Sequence, residues 1–211
     1  MACRLPAPGG SALIERAAAL CSFEKGAHIA DIGCGDGRTV KLLREKFELN
    51  VSGIDCDREI ISKGAADGVY GLFCADATLM PFEKESFDGA LFECSFSKME
   101  EPAKALEETF RILKKHARIV IADFYAKGEE GSFNGILGRI EKKESIETRL
   151  ASAGFSVEHF EDRSGDLLTL MGQLILDGGE SALYETLCVP LSVFKKIKCG
   201  YAIFIASKEG I

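Results

Sequence analysis

Ile29-Ala-Asp-Ile-Gly-Cys-Gly-Asp-Gly-Arg-Thr39 decides how this chain is read. It opens on apolar, strand-forming residues, passes through Gly33, Gly35 and Gly37, and runs into Thr39-Val-Lys-Leu-Leu-Arg-Glu-Lys46, whose pattern is helical. Strand, tight turn, helix is the local expectation. Alternating glycines let the turn take positive φ and let a ligand lie against bare backbone. The helix that follows aims its unpaired N–H groups over the same turn. Asp31 adds a carboxylate beside it, which repels a phosphate and attracts an ammonium group.

A dinucleotide fingerprint, G-x-G-x-x-G, counted from Gly33 needs glycine at position 38, where Arg38 stands. That argues against a nicotinamide-dependent oxidoreductase. The spacing here is D-x-G-x-G-x-G. Downstream, Val51-Ser-Gly-Ile54 is a second apolar run ending in Asp55. In a doubly wound sheet the second strand lies beside the first, so its terminal carboxylate sits where a nucleoside ligand keeps its ribose hydroxyls. Asp57 is placed to cap a helix from Arg58 to Ala66. A third strand, Val69 to Cys74, closes in Ala75-Asp-Ala77, and the turn Glu83–Ser86 leads into a fourth from Asp88 to about Glu93. Pro102 suits the first turn of a helix reaching Leu113, and a fifth strand runs from Arg118 to Phe124.

These stretches resemble the class I S-adenosylmethionine-dependent methyltransferases over residues 28–160. The glycine turn is similar to motif I of that family. Asp76-Ala77, Pro81-Phe82 and Ser86-Phe-Asp88 follow the family's "GDA…LPF…SFD", and ALEETFRILKKHARIVIADFY its strand-five phrase "AL.E..RVLKPGG.LVI.D.Y". The resemblance implies an α/β, doubly wound, Rossmann-like sheet of seven strands in the order 3-2-1-4-5-7-6, the seventh antiparallel. It implies S-adenosyl-L-methionine as cofactor, with Asp76 meeting the adenine amino group. The cofactor contacts it implies are Asp31, Gly33, Cys34, Gly35, Gly37, Asp55, Cys56, Asp76, Ala77 and Phe92. Lys115-His-Ala117 replaces the family's Pro-Gly-Gly, so that turn is expected to find another geometry, with His116 a turn residue and no catalyst.

On the acceptor side, Glu93 and Cys94 after the fourth strand are the catalytic candidates, with Asp123 and Tyr125 after the fifth. Glu93 suits a base or a partner for a cationic acceptor. Glu93-Cys-Ser-Phe96 stands where the nucleic-acid and glutamine N-methylating branch carries Asn/Asp-Pro-Pro-Tyr, which speaks against that branch. The expected function is methyl transfer to a small molecule. The alternative is a cofactor-binding accessory protein without catalysis.

The 211 residues are expected to form one domain: an N-terminal cap at 1–22, a cofactor-binding core at 27–161, a helical insertion at 163–198 and a last strand at 200–207. Ser11 is the expected N-cap of a helix from Ala12 to Cys21. Residues 125–143, glycine-rich and charged, read as a mobile loop. A helix from Glu144 to Ala153 leads to a sixth strand from Phe155 to Phe160. Leu167 to Leu176 is a helical apolar stretch that breaks at Gly178-Gly179, followed by a helix from Ser181 to Lys198 interrupted at Pro190. Cap and insertion are expected to roof the acceptor site.

A net charge of −7 disfavours a nucleic-acid groove. No apolar run approaches the ~18 residues of a membrane span, and the opening Met1-Ala-Cys-Arg-Leu-Pro lacks a signal-peptide core. A cytoplasmic monomer or homodimer is the expectation. Eight scattered cysteines without a CxxC pair, and three histidines far apart, point to no metal site.

Overall fold

Five apolar runs form the parallel part of the sheet: β1 (His28–Ile32), β2 (Asn50–Asp55), β3 (Leu72–Cys74), β4 (Phe87–Glu93) and β5 (Leu113–Ala126). β1 and β4 are buried over most of their length, as a sheet covered on both faces requires. The computed structural model describes residues 6–135, 137–187, 189 and 191–210. Among these, β8 (Phe155–Asp162) and β9 (Cys199–Lys208) complete a seven-stranded sheet in the order β3-β2-β1-β4-β5-β9-β8. β9 runs antiparallel to both neighbours, pairing Tyr201 with Phe124 on one side and Ala202 with Asp162 on the other. This is the expected 3-2-1-4-5-7-6 order. The labels shift because two short strands, β6 (Gly131–Ser132) and β7 (Arg139–Ile140), form a separate antiparallel pair.

The helices are α1 (Gly10–Cys21), α2 (Arg38–Phe47), α3 (Arg58–Ala66), α4 (Pro102–Ile112), α5 (Lys143–Ser152), α6 (Ser164–Leu187) and α7 (Leu191–Ile197). α1 and α2 bury Leu13, Ile14, Ala17, Val40 and Leu43 with Leu91, Val120 and Tyr201 on one face of the sheet. On the other face, Leu106 and Ile112 of α4 and Ile146 and Leu150 of α5 pack with Phe87, Phe92, Ile119 and Phe155. The local signals held where they were chemical. Asp57 caps α3, accepting from the N–H groups of Glu59 (3.0 Å) and Ile60 (3.2 Å), and Pro102 sits in the first turn of α4.

Several expectations are corrected. α1 begins at Gly10, capped by Gly9 in a left-handed conformation, so Ser11 lies inside the helix. β3 spans three residues, because Gly71 takes a φ of 71° and turns the preceding chain out of the strand. Among the described residues of 125–143, β5 continues to Ala126, and the paired strands β6 and β7 follow, with Phe133 N–H donating to Gly138 O at 2.8 Å. The Lys115–Ala117 segment needs no new geometry. His116 lies within β5 and takes the left-handed φ of 60° that glycine ordinarily supplies. α6 does break at Gly179 (φ 78°, ψ 173°), while the interruption expected at Pro190 and residues 1–5 of the cap lie outside the described residues. No helix among the described residues is long and apolar enough to cross a membrane.

Candidate functional site

The carboxyl ends of β1, β2, β4 and β5 meet at the glycine turn. After Ile32 the chain turns back, and the N–H groups of Gly33 (2.8 Å) and Cys34 (2.9 Å) both donate to Ile54 O at the end of β2. Gly33, Gly35 and Gly37 have φ of 78°, 57° and 80°. At Gly33 the requirement is doubled, because a Cβ there would stand 2.4 Å from the Ser95 Cβ. No side chain caps α2, whose first N–H groups open over the turn.

Asp55 is fixed at the end of β2 by two backbone donors, Gly35 N–H to Oδ2 and Asp57 N–H to Oδ1, both at 2.9 Å. Each oxygen keeps a lone pair. Asp76 spends Oδ1 on the Thr78 N–H and hydroxyl, both at 2.7 Å, which holds its carboxyl below the usual carboxylate value. Cys56 and Cys74 are exposed beside these acids, the Cys74 thiol 3.8 Å from Cys56 O. The Cys34 thiol turns inward, where a Cβ on Gly53 would meet it at 2.7 Å, and burial pushes it far up the scale.

Asp31 is 1% exposed, and its Oδ2 has no hydrogen-bond partner. Burial, then Glu93 and Asp55, hold its carboxyl well above the usual value. Glu93 shares that face of the sheet: Asp31 pairs with Leu91, and alternate residues of a strand point the same way. Its Oε2 accepts from the Thr39 hydroxyl at 2.5 Å, and burial raises its carboxyl in turn. Sequence reasoning placed Glu93 toward an acceptor, whereas it faces Thr39 in the first turn of α2.

Two candidates change role. Cys94 Sγ lies 3.0 Å from the Tyr201 hydroxyl, which itself donates to Ala122 O at 2.9 Å, so the thiol is the donor of that pair. Burial, above all, pushes the thiol far up the scale, which works against a nucleophilic thiolate there. Phe92 is fully buried against Phe96, ring centroids 5.6 Å apart, and its ring has no face open to a ligand. Tyr125 likewise belongs to an aromatic cluster with Phe160 and Phe204.

Sequence reasoning missed what holds the segment after β4. Asp123, buried at the end of β5, accepts from Ser97 N–H (2.8 Å) and the Ser97 hydroxyl (3.0 Å). The Ser95 hydroxyl donates to Ile32 O at 2.6 Å. Arg139 of β7 donates to Met99 O at 2.9 Å and pairs with Glu141 at 2.8 Å. Residues 94–99 are thus tied to β1, β5 and β7 at once. Thr39 could have been found from its place in the first turn after the glycines. Tyr201 and Arg139 could not, because both act across long sequence separations.

Residues 30–121 match a family model described as a methyltransferase domain. An O-methyltransferase of Penicillium expansum is 32% identical over 122 residues, 54% of this chain and 44% of that protein. An uncharacterised protein of Haemophilus influenzae is 26% identical over 188 residues, 84% of this chain and 74% of its own length. Among solved structures, a Haemonchus contortus phosphoethanolamine N-methyltransferase in complex with phosphomonomethylethanolamine and S-adenosylhomocysteine superposes with a TM-score of 0.78 at 18% identity, covering 97% of this chain and 54% of that one. This chain thus resembles methyltransferases in sequence over about half of its length and shares their fold over nearly all of it. It spans under half the length of the fungal relative.

Proposed function

We propose that this protein transfers the methyl group of S-adenosylmethionine to a small-molecule acceptor. The observation that carries the reading is Asp31: a buried carboxylate with an unpaired oxygen, beneath a glycine turn joined by hydrogen bond to Asp55. An orphaned buried acid is costly unless a cation completes it. The donor's ammonium group is such a cation, so the residues fit the cofactor. Asp55 offers its remaining lone pairs to two vicinal ribose hydroxyls, and Asp76 keeps Oδ2 for the adenine amino group. Gly33, Gly35 and Gly37 give the backbone approach, and Cys34, Cys56 and Ala77 line it.

Bound there, S-adenosylmethionine supplies a methyl carbon already made electrophilic by its sulfonium sulfur. The chain's part is then to orient and to exclude water. The segment 94–99, tied at three points, is a rigid wall for the acceptor. α1 and the helical segment 163–198 are the roof: Gly9 before α1 packs on Asp166 of α6, and Arg16 of α1 pairs with Glu161 of β8 at 3.1 Å, beside the start of that segment. The phosphomonomethylethanolamine held by the nematode enzyme supports a small acceptor. The test is turnover: the protein with methyl-labelled donor and a fractionated metabolite pool should yield S-adenosylhomocysteine and a labelled product. Tight donor binding without any turnover favours the accessory reading.

A further inference from the structure

Asp31 and Glu93 stand on adjacent parallel strands, on one face, near the same end of the sheet. Asp31 Oδ2 has no partner, and Glu93 Oε2 has the Thr39 hydroxyl. The charges that bear on them are nearly all of one sign. Asp31 is faced by Glu93 and Asp55, and in turn acts on the Cys34 thiol. Glu93 is faced by Asp123 of β5, and acts on Cys94 and on Tyr201 of β9. Among the described residues, the cation that reaches this group is Lys98, which acts on Asp123 and Cys94. Two carboxyls buried on one face of adjacent strands, with no cation between them, resist ionising together near neutral pH, and their titration belongs to the pair.

We propose that the ligand-free protein keeps one proton on the Asp31–Glu93 pair, and that the ammonium group of the donor displaces it, so that donor binding releases a proton. The inference rests on the donor site described above and makes Glu93 part of it. It gives the site a way to reject neutral nucleosides: a ligand without the ammonium leaves the proton in place and gains nothing from the acids. Burial raises both carboxyls from their ordinary values, which agrees with a retained proton. The sign follows. Below the pair's apparent pKa the free protein holds the proton and the complex does not, so affinity rises with pH until the free pair is fully ionised.

S-adenosylhomocysteine is the probe, because it keeps the ammonium and lacks the sulfonium. Calorimetric titration of the full chain at pH 7 in phosphate and in Tris should give heats that differ by the release of about one proton. The dissociation constant should fall about tenfold per pH unit over the range where the pair is protonated. Glu93→Gln should at least halve the release and flatten that slope. Equal heats in both buffers, with the ligand bound, overturn the proposal. A second measurement needs no ligand. Carboxyl-carbon NMR of the free protein should show one of the two acids still protonated at pH 7, and finding both ionised overturns the proposal as well. If S-adenosylhomocysteine does not bind, the donor-site reading fails, and the free-protein titration still decides whether the pair holds its proton.

Discussion

Asp55→Ala separates two roles that the structure gives one carboxylate. In the free protein it accepts from Gly35 N–H and Asp57 N–H, both at 2.9 Å. Gly35 is buried, whereas Asp57 is exposed and its N–H can turn to water. Losing the acceptor for one buried N–H should therefore lower folding stability by about 1–3 kcal/mol. Donor binding loses a further interaction, the ribose hydroxyls on a charged acceptor, at about 1.5–3 kcal/mol. That corresponds to roughly a 10- to 150-fold rise in the dissociation constant. Urea unfolding reads the first quantity and calorimetric titration with S-adenosylhomocysteine the second, under conditions where the variant stays folded. Unchanged affinity in a folded variant refutes the ribose assignment. An unchanged urea midpoint refutes the claim that Asp55 holds the glycine turn.

Other outcomes follow from the same geometry. Cys94→Ala should keep turnover within about threefold, since its thiol is a closed donor to Tyr201; a loss of a hundredfold reinstates it as a reactant. Glu93→Gln should stabilise the free protein increasingly as pH rises. A folded carboxyl raised above its unfolded value binds more protons in the native state, so wild-type stability falls as pH climbs past the unfolded value of about 4.3, and urea midpoints between pH 5 and 8 test the crossing. Gly33→Ala adds left-handed strain and a 2.4 Å clash with Ser95, for a loss of about 2–4 kcal/mol that urea unfolding should show. Arg139→Ala should raise the acceptor's KM more than that of the donor, because it frees Met99 O and the wall at 94–99, and Arg139→Lys should recover only part.

Much of the fold was legible because its signals are local. Three alternating glycines, an aspartate before Arg58 and a proline at position 102 each act within a few residues, and each did what its chemistry dictates. The surroundings of Cys94 and Phe92 were not legible, because the tertiary fold sets them. The Tyr201 hydroxyl reaches Cys94 from 107 residues away, and the direction of the Phe92 ring depends on strand parity at the end of β4. The β6–β7 pair was missed because strands of two residues carry no period to detect. His116 shows the opposite error: glycine's absence looked informative, yet a histidine took up glycine's conformation.

The place of β9 has a consequence for how the chain comes to be folded. Five parallel strands, with the helices that cover them, can assemble while the ribosome is still at work, but the open edge of β5 stays bare until residues 199–208 emerge. β8 waits too, since its ladder is made with β9 alone. For that interval the nascent protein carries a long apolar edge from Arg118 to Ala126, a template for pairing with any neighbour on the same polysome. Synthesis speed over residues 127–208, and chaperones that cover a strand edge, would then govern yield more than the stability of the finished sheet.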